Sequence, residues 1–365
     1  MSSNDNNNDE KEKTSDETTR RRFLALGAGA VLSSSSLNAC GTDQKERGIQ
    51  VSESQRAYKR KTPSRVSLDK TTYDELLPVL ERNWKLLGPD IKGKKIFLKV
   101  NLVDWRPDKP LCTDPRFVDA VIQLMQKNGA AVIKVGDGPA ITRDTERLVQ
   151  KSGIEAVMKK HGMKFVDLNI DDLVEVTNPL KFTGEDKFLL PQSVTTSDML
   201  ISLPKLKTHH WALMTASMKN LFGVLPGRKY GWPKNILHIK GIDKSIVDLV
   251  SAIKPQFAIV DGIVAMEGDG PLNGTGLDFG ALIMGDDVVA VDTVCGSCMK
   301  LPVAVIPYLK IAGMCIGNAD LNQIEILGKT VADMQRNFEF PPTFEPDGRP
   351  RNLTNLKTGS DGGLT

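Results

Sequence analysis

The chain has 365 residues, with 48 Lys and Arg against 45 Asp and Glu, a net charge of +3 and only 5% aromatic residues. That balance, with no arginine-rich stripe interleaved with aromatics, argues against nucleic acid as a partner. The length and the 40% hydrophobic content allow one large α/β domain or two lobes, with Val, Ile and Leu carrying the burial.

The N-terminus reads Thr19-Arg20-Arg21-Arg22-Phe23-Leu24, an apolar run to Leu32, serines, then Leu37-Asn38-Ala39-Cys40. The arginine pair before Phe-Leu has the form of a twin-arginine signal, and Leu-x-x-Cys that of a lipoprotein cleavage box. The run Phe23–Leu32 is short for a spanning helix, which needs about 20 residues. Residues 1–39 are therefore expected to be a signal peptide. The twin-arginine translocase and the lipoprotein-processing machinery would be its partners, and Cys40 would carry the lipid. The expected product is a soluble domain held by that anchor on the extracytoplasmic, periplasmic face of a membrane. The twin-arginine route carries folded proteins, which hints at a prosthetic group inserted before export. Residues 40–62 are polar and charged and read as a flexible tether. An α/β domain is expected over 63–335, and an irregular tail over 336–365.

Within the domain, Lys95–Val100 reads as a strand. Asp114-Pro115 then opens a helix as N-cap and first residue, and Phe117, Val118, Val121, Ile122, Leu124 and Met125 form its apolar face. Gly129 ends it, and the next strand spans Ala131–Val135. This βαβ unit predicts a mostly parallel sheet flanked by helices, in one body or two lobes. Further strands are expected at Met199–Leu203, Phe257–Val260, Ala281–Met284 and Ile324–Leu327. Helices fit Tyr73–Leu86, Asp144–His161, Lys244–Ile253 and Val288–Lys300.

Polar residues cluster just past the strand ends: Asn101 and Asp104, Gly136-Asp137-Gly138, Pro204-Lys205-Leu206-Lys207, Asp261-Gly262 and Gly285-Asp286. Ligands of open parallel sheets bind outside the carboxyl ends of strands, so one shared site is expected at that rim. The richest stretch runs from Leu203 to His238 and holds His209, His210, Lys219 and His238. Lys205, Lys207 and Lys219, with Arg228, are suited to an anionic or phosphorylated small molecule. A histidine there suits metal ligation or proton transfer. His210, followed by Trp211, reads by itself as a structural donor. Asp261, Glu267 and Asp269, among glycines, are suited to orienting a histidine or a metal, or else to forming an acidic turn. Asp292 reads as a cap or ion-pair residue. Cys295-Gly296-Ser297-Cys298 has redox or metal spacing, with Cys112 and Cys315 elsewhere; plain buried cysteines are the simpler reading.

These motifs have a family likeness. Lys99-Val100-Asn101-Leu102, Thr113-Asp114-Pro115, Leu203-Pro204-Lys205-Leu206-Lys207-Thr208-His209, Lys219-Asn220-Leu221-Phe222-Gly223, Asp261-Gly262, Glu267-Gly268-Asp269-Gly270-Pro271 and Ala290-Val291-Asp292 resemble the domain of unknown function 362. The resemblance covers about residues 63–330. More distantly, the order His209, Lys219, His238 and the turn Leu225-Pro226-Gly227 resemble the nickel-pincer lactate racemases. That likeness implies a transition metal in a pincer group anchored on Lys219 and ligated by His238, with His209 as base or second ligand. It implies a small hydroxy acid as substrate, held by Lys99, Asn101, Lys205 and Lys207. The racemases carry a further histidine after the second strand, where this chain has Asp137 as the candidate second proton carrier. Three readings follow: a cofactor-dependent racemase-like or oxidoreductase enzyme, a non-catalytic binding lipoprotein for an anionic small molecule, and a thiol or iron–sulfur redox protein.

Overall fold

The structure, a computed structural model, describes residues 49–140, 143–231 and 235–351. The expected signal peptide, residues 1–39, and Cys40 lie outside the described residues. The chain divides into Met1–Gln50 and Val51–Thr365, and the fold is that of the second unit.

A ten-stranded mixed sheet forms its centre. Its strands are β1 (Ser64–Lys70), β2 (Lys95–Lys99), β3 (Val132–Asp137), β4 (Phe165–Asp167), β7 (Met199–Ser202), β8 (Lys205–His209), β9 (Leu213–Thr215), β10 (Phe257–Glu267), β11 (Thr275–Gly285) and β12 (Ile324–Gly328). A separate antiparallel pair is made by β5 (Leu173–Thr177) and β6 (Lys187–Pro191). The main order is β12-β1-β11-β10-β7-β2-β3-β4, with β8 on β10 and β9 on β8. From β10 to β4 the neighbours are all parallel, and β11 reverses direction between β10 and β1. The expected α/β, mostly parallel architecture is what forms. Among the described residues no helix is long and apolar enough to cross a membrane.

The βαβ unit shows why the rim is where it is. Asp114 accepts the Arg116 N–H at 2.9 Å and Pro115 opens the helix Pro115–Lys127. Phe117, Val121, Leu124 and Met125 bury their side chains among Leu80, Ile96 and Leu98 in the main core. Gly129, at φ +79°, takes a left-handed turn that sends the chain back to β3. The register pairs Lys99 with Gly136, so Asn101 and Asp137 emerge at the same end of the sheet.

Several expectations change. The helix expected over 144–161 is two, Thr145–Lys151 and Ile154–Lys160, parted at Gly153 with φ +81°. The strand expected to end at Val260 continues to Glu267 through a register shift between Gly262 and Val264. Asp261 therefore sits inside a strand rather than past its end. Residues 205–209, expected as loop, form β8. The tether is ordered from Val51 onward: Ser52 forms a capping box, and Arg60 pairs with Asp286 at 2.7 Å. The tail is packed as far as it is described, burying Phe338 and Phe344.

Candidate functional site

A pocket of about 400 Å³ opens at the carboxyl ends of β2, β3 and β8, lined among others by Asn101, Asp137, Lys207, His209, His210 and Lys219. His238 also faces it. Its floor is a buried ion pair. Lys99 Nζ lies 2.5 Å from Asp137 Oδ1, with both side chains shut off from solvent. The ammonium also donates to Val100 O at 2.7 Å. Asp137 accepts the Leu102 N–H at 2.6 Å and the Gly138 N–H at 2.7 Å, so both its oxygens are engaged. Burial pulls the Lys99 ammonium below the usual lysine range, against the opposing pull of Asp137. Gly223 roofs this pair; a Cβ there would come within 2.6 Å of Lys99 Nζ.

Alternation along β8 sends Lys205, Lys207 and His209 to one face. Lys207 has no solvent exposure, and its Nζ donates to Leu111 O at 2.8 Å. Burial, reinforced by Lys205 and Lys219, pushes this ammonium down to about 7. His209 Nδ1 accepts the Trp211 N–H at 3.0 Å and the Ala212 N–H at 3.3 Å. The neutral ring therefore carries its proton on Nε2, and burial, with Lys219 and the other histidines, holds it well below the usual histidine range. His210 has the opposite tautomer. Its Nδ1–H donates to Gly270 O at 2.9 Å, so in the neutral ring Nε2 is the acceptor nitrogen. Thr343, in the tail, fastens this residue by donating to His210 O at 2.6 Å.

Lys219 sits on the short helix Ser217–Asn220. Asp292, from within the helix Val288–Cys298, accepts the Ser217 and Met218 N–H groups at 2.7 and 3.1 Å and caps that short helix. Asn220 ties it to the sheet, donating to Lys99 O at 2.9 Å and Ser202 Oγ at 3.0 Å. The Lys219 ammonium lies 4.8 Å from the Phe222 ring centre and has no hydrogen bond or carboxylate among the described residues. Burial and then Lys99 push it down to about 8. Phe222 and Trp211 meet the His238 ring edge-on, at 5.2 and 5.1 Å between centres. Asn101 is buried at the pocket edge, and its Oδ1 has no partner among the described residues.

The structure thus gathers Asn101, Asp137, Lys207, His209, Lys219 and His238 in one pocket, with Lys99 just beneath. It places the others elsewhere. Lys205 pairs with Asp261 at 2.6 Å, and Tyr73 donates to the same carboxylate at 2.9 Å. Glu267 accepts the Glu339 N–H at 2.9 Å and so pins the tail, while Asp269 accepts from Asn273 at 3.1 Å. His210 was legible in the sequence only as a structural donor; its donated proton is real, but its other nitrogen faces no protein partner among the described residues. Cys295, Cys298 and Cys315 are buried and unpaired among the described residues, and burial pushes the Cys298 and Cys315 thiols up to about 12. No group of three or more His, Cys, Asp or Glu suited to a metal ion occurs among the described residues. Burial thus disfavours the Cys298 and Cys315 thiolates that thiol chemistry or metal ligation would need.

The chain matches the model of the Domain of unknown function (DUF362) over residues 96–297. It is 32% identical over 227 residues to the thylakoid-associated protein sll1697 of Synechocystis sp., covering 60% of this chain and 66% of that protein. Among solved structures it is similar to the lactate racemase apoprotein from Thermoanaerobacterium thermosaccharolyticum, at a TM-score of 0.38 and 15% identity. That match covers 64% of this chain and 55% of the racemase chain. The family match takes in the strands, the short lysine helix and the glycine turns that build the pocket, and on it the chain belongs to the DUF362 family.

Proposed function

We propose that the pocket is the active site of an enzyme acting on a small anionic, hydroxy-acid-like substrate by proton or hydride transfer. One observation carries this reading: Lys207 and Lys219, two lysines without carboxylate partners among the described residues, line one pocket with two histidines of opposite tautomer. The Lys207 ammonium would meet a substrate carboxylate, which would raise its proton affinity and add a charge-assisted bond. His210 Nε2 accepts the hydroxyl proton, and His209 Nε2–H donates to a substrate oxygen. Asn101 Oδ1, buried without a donor among the described residues, accepts from the substrate. Asp137 is given no proton-transfer role, because both its oxygens hold the floor together.

The residues fit a nickel-pincer-type group in one respect, since the Lys219 amine is uncommitted and His238 lines the same pocket. Lys219 would be joined to the group and His238 would ligate the metal. His209 does not suit ligation, because its Nδ1 is engaged and its Nε2 is protonated. Such a group would supply a hydride acceptor for the substrate carbon. Cytoplasmic loading ahead of twin-arginine export, with anchoring through Cys40, belongs to the same proposal.

The test is the intact mass and metal content of the natively exported protein, followed by chiral chromatography of a single-enantiomer 2-hydroxy acid incubated with it. Added mass on Lys219, bound transition metal and loss of enantiomeric purity are expected. An unmodified, metal-free chain that binds hydroxy acids without changing them would replace this reading with anion capture by a binding protein.

A further inference from the structure

Four lysines lie in or beneath the rim, and three are committed. Lys99 and Lys205 have carboxylates, and Lys207 has the Leu111 carbonyl. Lys219 has neither among the described residues, only the face of Phe222. Nor is it loosely placed. Asp292 clamps the start of its helix, and Asn220, the next residue, is bound to β2 and β7. An amine held in a largely apolar pocket beside other cations is favoured in its neutral, nucleophilic form. Burial and Lys99 act in that direction on Lys219, while Asp137 acts against it.

The surroundings supply what a carbonyl compound needs. Lys207 offers a cation for a carboxylate, His209 an Nε2–H for an oxygen, and His210 an acceptor nitrogen for a proton. We infer that Lys219 forms an imine with the carbonyl of a small 2-oxo or aldehyde acid. The inference rests on the pocket as a small-acid site and concerns the chain whose Lys219 is unmodified, since an acylated amine is no longer nucleophilic and lacks the two protons that leave as water. The nitrogen lone pair bonds to the carbonyl carbon, while the oxygen takes up the π electrons against His209. His210 Nε2 removes a proton from nitrogen and delivers it to that oxygen. The carbon–oxygen bond then breaks, both amine protons leave with the oxygen as water, and a carbon–nitrogen double bond remains.

The experiment treats the full chain, shown by intact mass to be unmodified, with glyoxylate and sodium cyanoborohydride, which supplies the hydride that fixes the imine. Acetaldehyde, which lacks a carboxylate, is run in parallel. The expected result is a single carboxymethyl addition mapped by proteolysis to Lys219, at least tenfold faster with glyoxylate than with acetaldehyde. Lys219→Arg keeps the charge and should lose the addition, with the circular dichroism of the fold intact. Addition spread over exposed lysines, with Lys219 no more labelled than the rest, would overturn the inference, and this mapping on the unaltered chain needs no variant to fold. Calorimetry with lactate separates the two readings. Lactate binding without a Lys219 adduct removes the imine and leaves the acid site standing, whereas absence of both removes both.

Discussion

Asp137→Asn isolates what the floor of the pocket does. The substitution leaves the Lys99 ammonium with no counter-charge at a position of zero exposure, its remaining partners being Val100 O at 2.7 Å and Asn220 Oδ1 at 3.4 Å. Breaking a buried pair by removing one partner costs about 3–5 kcal/mol. The ceiling is set by Lys99 itself, because giving up the proton of an ordinary lysine at pH 7 costs about 5 kcal/mol. The loss is expected inside that range, read as the shift in urea midpoint at unchanged slope. Lys99→Met alone strands the carboxylate instead, with the Leu102 and Gly138 N–H groups left on it. The double variant removes both charges, so the two single losses should fail to add by about 2–3 kcal/mol. Asp137→Asn within about 0.5 kcal/mol of the parent, or strict additivity, would refute the clamp and reopen Asp137 as a proton carrier.

Other consequences follow from neighbouring contacts. Gly223→Ala drives a methyl group into the Lys99–Asp137 pair and should cost about 1–3 kcal/mol in the same unfolding assay. Burial pushes the Asp292 carboxyl up to about 7 from an ordinary 3.8, against the hydrogen bonds from Ser217 and Met218. The folded chain then holds a proton that the unfolded chain releases near pH 4, so this group favours folding below that pH and loses its advantage as pH rises toward 7. The stability of the parent relative to Asp292→Asn should therefore fall by up to about 4 kcal/mol between those limits; a flat difference would contradict it. For export, changing Arg21 and Arg22 to Lys should retain the precursor in the cytoplasm, and Cys40→Ser should move the mature protein from membrane to soluble fractions. Fractionation with immunoblotting reads both, and unchanged distributions would refute the signal reading.

The sequence made the βαβ unit legible because its signals are local: Asp114 and Pro115 open the helix, an apolar stripe buries it, and Gly129 ends it. The same held for gathering Asn101, Lys207, His209 and Lys219 at the strand ends. What failed were long-range pairings. Nothing near Lys205 announces that it belongs to Asp261, 56 positions later; the parallel register of β8 on β10 brings them face to face. Glu267 looked like a ligand until the tail residue Glu339 occupied it. Lys-Leu-Lys-Thr-His has too much charge to read as a buried strand, yet all five residues of β8 are buried, because a carboxylate, a carbonyl and the pocket receive their polar ends. Gly153 broke a helix whose periodicity ran straight through it.

The most direct test of the site is calorimetric titration of the full chain with a 2-hydroxy acid such as lactate, repeated on Lys207→Met. Saturable binding by the parent is expected, with a loss of about 10- to 100-fold in affinity on removing the ammonium, the size of one charge-assisted hydrogen bond. No binding by the parent, or the same affinity in both proteins, would contradict it.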